Sequence, residues 1–194
     1  MNKKLPHTNK KRLYDCASKQ QGFFTTKLAE QSGFHRSHHS YHVKVGHWIR
    51  EMRGIYRLSN FPQNDEDAQL ILWYLWSRNR DEDPQGVYSH DTALRIYELG
   101  DLMPSKLSMT VPKKFHRFNK TPNILVLHKA DLAKRDIQLI RGFAVTTPAR
   151  TLLDIIKSKH LESSLIKQAY KEALRRGLLS PNDENKISEF FNEI

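Results

Sequence analysis

Five histidines between residues 35 and 47 are the first side chains in this sequence whose spacing could support chemistry. They are His35, His38, His39, His42 and His47. Spacings of three and four residues can place two imidazoles on one helix face, as a zinc site requires. The same stretch contains no Cys, Asp or Glu to complete a tetrahedral set, so no metal site is predicted. We expect some of these histidines to occupy core positions and others to face a ligand.

Two further groups of polar residues could suggest catalysis. Ser89, His90 and Asp91 are consecutive, so sequence alone does not make them a triad, and a helix cap at Ser89 is the simpler interpretation. The HKAD stretch at residues 128–131 could suggest a nuclease cluster, but a strand end followed by a polar loop explains it better. Phosphate-binding, zinc-protease and nucleophile-elbow motifs are absent from the sequence. We therefore predict no enzyme and no cofactor.

The elements that position the histidines have the pattern of a winged helix-turn-helix, a module that places one helix in the DNA major groove. Apolar spacing predicts a first helix over about residues 8–19. After a short extended bridge, Thr25 or Thr26 is predicted to cap a second helix of about two turns. Free backbone N–H groups at the start of that helix, at Thr25, Thr26 and Lys27, are predicted to favour a DNA phosphate.

A third helix, predicted over about residues 34–45, is the candidate recognition helix. Its small hydroxyl-bearing side chains permit close approach to DNA, and its basic side chains can reach a phosphate or a guanine edge. At 100° per residue, Val43 and two of the histidines lie roughly opposite these polar side chains. The predicted contact residues are Arg36, Ser37, Ser40, Tyr41 and Lys44.

A basic β-hairpin is predicted over residues 48–58, with its turn around residues 52–54. Arg50, Arg53 and Arg57 would place positive charge on this wing, where they could bind the DNA backbone beside the recognition helix.

The distribution of charge agrees with this interpretation. The chain of 194 residues has a net charge of +11. Residues 1–60 contain 12 basic and 3 acidic side chains, whereas residues 61–194 contain 20 and 18. A compact basic module gains affinity for a duplex through counterion release. We predict a DNA-binding domain at 1–60 and a second domain at 61–194, with double-stranded DNA as partner.

Cysteine content and hydropathy predict the compartment. Cys16 is the single cysteine, so no internal disulfide is possible, and the N-terminus has no apolar secretory segment. The most apolar stretch, residues 70–76, is too short to span a bilayer. We expect a cytoplasmic, nucleoid-associated bacterial protein with no membrane partner.

The fold class predicted for the chain is α+β, with a mixed α/β second domain that has a small sheet and several helices. A basic loop, KKFHRFNK at residues 113–120, could be a second nucleic-acid contact or a solvent-exposed hairpin tip. A helix is predicted to begin at Thr147, with Pro148 in its first turn. Helices are predicted around 68–76, 93–99, 148–156, 165–174 and 187–194, and strands near 106–111, 123–128, 137–140 and 143–147.

Three phrases of the sequence together resemble one known family. GFFTTKLAEQSGFHRS followed by GHWIREMRGIYRL resembles the N-terminal winged helix of AbiEi-type antitoxins, the regulator half of type IV toxin–antitoxin (abortive infection, phage defence) systems. GVYSHDTALRIYELGDLMPSKLSMTVP and FAVTTPARTLLDII resemble two stretches of the domain that follows in that family. The resemblance runs from about residue 20 to residue 180.

This resemblance implies a repressor that binds inverted repeats in its own operon, and a C-terminal domain that counters a nucleotidyltransferase-like toxin encoded beside it. The family's recognition-helix contacts carry over to the five residues named above, and its wing contacts to Arg53, Gly54 and Arg57. This sequence departs from the family at His39 and His42, where relatives tend to have Leu-like core residues.

Three hypotheses remain open from the sequence. The first is a transcriptional repressor that is also an antitoxin. The second is a stand-alone winged-helix regulator with no toxin partner. The third, from a different class, is a DNA-directed nuclease that uses the C-terminal sheet. An adjacent nucleotidyltransferase-like reading frame would distinguish the first from the second, and metal-dependent DNA cleavage would support the third.

Overall fold

The computed structural model describes residues 6–62, 64–117 and 120–192. It divides into two compact units. The first comprises the chain up to Gln85 together with Ile140–Phe143, and the second comprises Gly86–Leu139 and the chain from Ala144 onward. The domain boundary predicted at residue 60 lies inside the first unit, and it stays a prediction.

Helices and a small antiparallel sheet form the first unit. In the described residues its helices are α1 (Pro6–Ala17), α2 (Thr26–Gln31), α3 (His39–Lys44) and α4 (Asp65–Trp76), and its strands are β1 (Phe23–Thr25), β2 (Trp48–Met52) and β3 (Ile55–Leu58). The strand order is β1-β3-β2, and both pairings are antiparallel. The predicted hairpin is confirmed, whereas the extended bridge at Phe23 and Phe24 is a strand of this sheet.

One contiguous core holds this unit together. Its fully buried members come from α1, β1, α2, β2 and β3, and they are Leu13, Ala17, Phe24, Ala29, Trp48 and Leu58. Phe24 meets the Trp48 ring edge-on, with 4.9 Å between ring centroids. Because a small unit buries little apolar surface, large aromatic side chains contribute much of its stability.

The predicted third helix is divided in the structure. Residues Arg36–His38 form a 3-10 turn, and the α-helix α3 begins at His39. The His35 ring starts the turn, since its Nδ1 accepts a hydrogen bond from the backbone N–H of Ser37 at 3.4 Å. Tight 3-10 turns are common at helix ends, so the prediction of one continuous helix was wrong, although its extent was right.

The second unit is built around a mixed sheet. Its strands are β4 (Val87–Tyr88), β5 (Leu107–Val111), β6 (Leu125–Lys129), β7 (Ile137–Ile140) and β8 (Phe143–Thr146), and its helices are α5 (His90–Ile96), α6 (Pro148–Ser158), α7 (Ser163–Arg175) and α8 (Pro181–Asn192). In the described residues the strand order is β6-β5-β4-β8-β7. Together the two units give the predicted α+β class with helices and two sheets.

Two predictions for this unit need correction. Strands β5 and β6 are parallel, with Leu107 opposite Leu125, so the basic loop between them is a crossover and not a hairpin tip. Part of that loop, residues 118 and 119, lies outside the described residues. Ser89 stands at the N-cap position of α5, yet its side chain makes no capping hydrogen bond. Its hydroxyl instead bonds to His90 and Thr110.

Candidate nucleic-acid interface

A short turn orients the predicted recognition helix. Helix α2 ends at Gln31, and the 3-10 turn begins at Arg36. Gly33 lies between them with φ +96°, and a Cβ there would come within 2.7 Å of the Asn9 side chain. Glycine is therefore required at this position both for its left-handed backbone and for the close approach of α1. The turn changes the direction of the chain between α2 and the segment that follows it, as in a helix-turn-helix.

Residues 36–44 present one polar face to solvent; we call them the recognition segment. All five predicted contact residues of this segment are exposed, namely Arg36, Ser37, Ser40, Tyr41 and Lys44. Tyr41 is 59% exposed, which is unusual for so large an aromatic side chain. His42 and Val43 are partly buried on the opposite side. The predicted rotation of the helix therefore holds despite its division into two pieces.

His39 occupies a core position of the first unit. Its side chain is 3% exposed and lies edge-on to Trp48, with 5.2 Å between ring centroids. Its Nε2 bonds to the carbonyl oxygen of Phe34 at 3.1 Å. His39 is therefore a core residue that also fastens the turn preceding the recognition segment.

Burial also affects the titration of His42. Burial lowers the pKa of His42 below its ordinary value, and the positive charges of His47 and His39 lower it further. His42 is therefore neutral at pH values where an ordinary histidine would be charged.

The β2–β3 hairpin carries the predicted wing arginines. Arg50 and Arg53 are exposed, and Arg57 is partly buried. The Arg57 Nε donates to the Glu51 carboxylate at 2.7 Å, and the Arg57 side chain is 12% exposed. As the structure stands, Glu51 therefore neutralises Arg57, and the exposed positive charge of the hairpin comes from the other two arginines.

The start of α2 differs from its prediction. The N–H groups of Thr26 and Lys27, which were expected to be free for a phosphate, have acceptors inside the first unit, and so does the next N–H along the helix. The Thr26 N–H donates to the Gly54 carbonyl at 3.1 Å, the Lys27 N–H to Glu82 at 2.7 Å, and the Leu28 N–H to the Thr25 hydroxyl at 3.4 Å. Thr25 and Thr26 are also buried. The prediction of an open phosphate site at this helix start was therefore wrong.

An acidic segment that sequence reasoning did not connect with DNA binding covers this helix start. The segment comprises Asp81, Glu82 and Asp83 and is called the acidic segment below. The backbone N–H of Lys27 donates to Glu82, as described above. The side-chain Nζ of Lys27 donates to the Asp81 carbonyl at 2.6 Å. The same Nζ lies 3.6 Å from the Asp83 carboxylate. A carboxylate thus occupies the position at α2 where a phosphate was expected.

The second unit brings together three histidines that the sequence separates widely. The His90 ring stacks on His128 with 3.7 Å between centroids, and the His160 Nε2 lies 2.6 Å from Asp91. Burial lowers the pKa of His90 to about 4, and repulsion from His128 and His160 acts in the same direction. His90 is therefore neutral at physiological pH. Its ring and the Ser89 hydroxyl are 2.9 Å apart.

The two groups of polar residues that were considered for catalysis and set aside can also be examined as possible metal ligands. Within residues 6–62, 64–117 and 120–192, no group of three or more His, Cys, Asp or Glu side chains is placed to hold a metal ion. Asp131, one member of the HKAD stretch, accepts a bond from the Lys113 backbone N–H at 3.2 Å. This carboxylate therefore anchors the loop between β5 and β6.

The described helices include none that combines the length and the apolar character needed to cross a bilayer.

Comparison with known proteins finds a family match for part of the first unit. No curated protein matches the chain. Among solved structures, the RV2827C protein from Mycobacterium tuberculosis is similar with a TM-score of 0.48 at 13% identity, over 96% of this chain and 72% of that chain. Residues 11–59 match the family model described as "Transcriptional regulator, AbiEi antitoxin". This part of the chain, which includes the recognition segment and the β2–β3 hairpin, is therefore similar to the AbiEi antitoxin family of transcriptional regulators.

Proposed function

We propose that the protein is a DNA-binding transcriptional repressor that controls its own operon and acts as the antitoxin of a type IV toxin–antitoxin system. The first unit serves as a winged helix-turn-helix. Helix α2 and the recognition segment form the helix-turn-helix, and the β2–β3 hairpin forms the wing. The observation that carries the proposal is the exposed polar face of the recognition segment, which contains no acidic residue.

The composition of this face suits base and phosphate contacts. Ser37 and Ser40 are small enough to let the helix approach base edges, where their hydroxyls donate or accept. Arg36 and Lys44 stand near opposite ends of the segment, where their charged ends can reach phosphates on either side of the groove. Tyr41 adds a phenol hydroxyl that can donate to a phosphate oxygen.

In this proposal the wing contacts the DNA phosphate backbone and does not read the base sequence. Arg50 and Arg53 are exposed on the hairpin and supply positive charge beside the recognition segment. Arg57 supports them indirectly, because its ion pair with Glu51 links β3 to β2 and stiffens the hairpin. In this proposal Arg57 is a positioning residue, and it reaches a phosphate only if Glu51 releases it.

A mobility-shift assay with the DNA upstream of the protein's own gene tests the DNA-binding part. We expect a shift at lower protein concentration than with a scrambled duplex of equal length, because base contacts add to the nonspecific electrostatic attraction. Equal affinity for both duplexes would contradict an operator-specific repressor.

Co-expression tests the antitoxin part separately. If a nucleotidyltransferase-like protein is encoded beside this gene, its toxicity should be relieved by the full chain. It should also be relieved by a variant that no longer binds the operator, because the proposal assigns that role to the second unit. Operator binding without relief of toxicity would leave a stand-alone regulator and refute the antitoxin role.

A further inference from the structure

The first unit contains a half-open cavity that the proposed DNA contacts do not use. Its volume is about 470 Å³, within the range of about 300–1,000 Å³ in which proteins hold small molecules. It is lined by residues of α1, α3, β2 and the chain after β3. His42 is the recognition-segment residue in its wall, and the exposed contact residues of that segment are not part of it.

The inner wall of the cavity is apolar and largely aromatic. Leu13, Trp48 and Leu58, all members of the core, form its base. The His42 ring stacks on Trp48 with 4.6 Å between centroids and an interplanar angle of 25°. Phe34 stands edge-on to both rings, at 5.1 Å from His42 and 5.2 Å from Trp48. Flat ring surfaces meeting at right angles favour a planar aromatic ligand, by stacking and edge-to-face contact.

The lining of the cavity carries positive charge. This charge comes from Lys10 and Lys11 of α1, and the described lining contains no Asp or Glu. With two lysines and no acidic side chain in the described lining, the electrostatic field in the cavity is positive and favours an anion.

We propose that this cavity is a binding site for a small aromatic carboxylate of one or two rings. The ring occupies the space against Trp48 and Phe34, and the carboxylate faces Lys10 and Lys11. Ser59 and Asn60 at the edge of the cavity supply hydrogen-bonding groups for a hydroxyl or ring nitrogen. An aliphatic acid would lack the ring contacts, and a neutral aromatic would leave the lysines without a counter-charge. The site does not depend on DNA binding.

Isothermal titration calorimetry on the full chain tests the charge requirement. The probes are salicylate and indole-3-acetate, each paired with its neutral amide of the same shape. We expect the acids to bind and the amides to bind about fivefold to tenfold more weakly, as loss of a partly exposed ion pair predicts. Absence of binding below about 10 mM acid, where even millimolar affinity would be visible, or equal binding of acid and amide, would overturn the proposal.

Two variants and a matched control locate the site. The double variant Lys10→Ala/Lys11→Ala should weaken binding of both acids by about tenfold, and Lys19→Ala should leave it unchanged. Lys19 is also exposed and follows α1 directly, but it does not line the cavity. Tyr14→Ala should weaken binding too, and Tyr14 is 45% exposed, so its removal leaves the core intact. An equal loss with Lys19→Ala would show nonspecific attraction and refute the site.

The tryptophans provide a direct readout of position. The chain has three, Trp48, Trp73 and Trp76, and Trp48 alone among them lines the cavity. Titration with indole-3-acetate should therefore shift the Trp48 indole N–H resonance and leave the other two in place. Movement of Trp73 or Trp76 without Trp48 would place the ligand elsewhere and contradict the proposal.

Discussion

The carboxylate of Glu82 accepts a hydrogen bond from the backbone N–H of Lys27 at 2.7 Å, at the first turn of α2. Asp81 and Asp83 hold the Lys27 ammonium group from the same side. Helix starts attract anions because their N–H groups lack intrahelical acceptors. In the proposed complex the negative charge of this carboxylate opposes a duplex that approaches α2.

The variant Glu82→Gln should consequently bind the upstream duplex about threefold to fivefold more tightly, since one competing charge at a helix start is worth about 0.5–1 kcal/mol. Fluorescence anisotropy at fixed salt measures the change. Glu189→Gln on α8 removes the same charge from an exposed position and controls for net charge. Equal gains in both variants would mean that the acidic segment acts only through the total charge of the protein.

Removal of single basic side chains should weaken DNA binding in a salt-dependent way. Lys44→Ala on the recognition segment and Arg53→Ala on the wing should each cost about 1 kcal/mol if each side chain holds one phosphate. Each should also reduce the slope of log K against log salt by about 0.9. Lys157→Ala, an exposed lysine of α6, is the control. Unchanged slopes for both variants would exclude the proposed surface.

Much of the local structure could be predicted from the sequence because its signals are local. Apolar spacing located α1, α4 and α7, alternation located β5, and β-rich runs located β6, β7 and β8, whereas the two-residue strand β4 was not predicted. Thr147 and Pro148 gave the start of α6, where the Thr147 hydroxyl accepts from the Arg150 N–H at 3.4 Å. These patterns depend on residues a few positions apart in the chain, so they can be recognised without knowledge of the tertiary fold.

The errors concern contacts between residues far apart in the chain. Glu82 lies 55 residues from Lys27, and nothing near α2 indicates that an acid will occupy its start. The ion pair between Arg57 and Glu51 depends on the register of the β2–β3 hairpin, and the DNA contact expected of Arg57 stays a prediction. The stacking of His90 on His128 likewise requires the sheet. Register and long-range pairing decide which polar groups meet, and a single sequence does not encode them in a readable pattern.

His39 should behave as a core residue and not as a DNA contact. His39→Ala should lower the free energy of unfolding by about 2–3 kcal/mol, because it leaves a cavity beside Trp48. His39→Leu should cost less, on the order of 1 kcal/mol: it nearly keeps the volume and removes a buried Nδ1 with no partner among the described atoms, but it loses the Nε2 bond to the Phe34 carbonyl. Urea unfolding followed by tryptophan fluorescence measures both. A larger loss of unfolding free energy for His39→Leu than for His39→Ala would contradict this packing.

The second unit should lose stability in mild acid. The folded pKa of His90 is about 4 because burial, chiefly, disfavours its charged form, whereas the unfolded pKa is about 6.5. Between these values the unfolded chain binds more protons, so stability falls as pH decreases from about 6.5 to about 4. The full loss attributable to His90 is on the order of 2–3 kcal/mol.

Denaturant unfolding at a series of pH values measures this loss. His90→Asn should flatten the decline, because asparagine does not titrate and tolerates the left-handed backbone at this position, where φ is +51°. His116→Asn, at an exposed histidine of the same unit, should keep the decline of the parent protein. A decline of equal size in all three proteins would assign the acid sensitivity to other groups.

The central claim is that the recognition segment lies in the major groove of the operator, and site-directed DNA cleavage tests it most directly. Because Cys16 is the single cysteine, a Cys16→Ser background allows one new thiol to carry an iron–EDTA group, at Ser40→Cys or at Lys157→Cys as control. We predict localised cleavage of the upstream duplex from position 40, centred on a major groove, and none from position 157. Cleavage from position 157 alone, or uniform cleavage from both, would contradict the account.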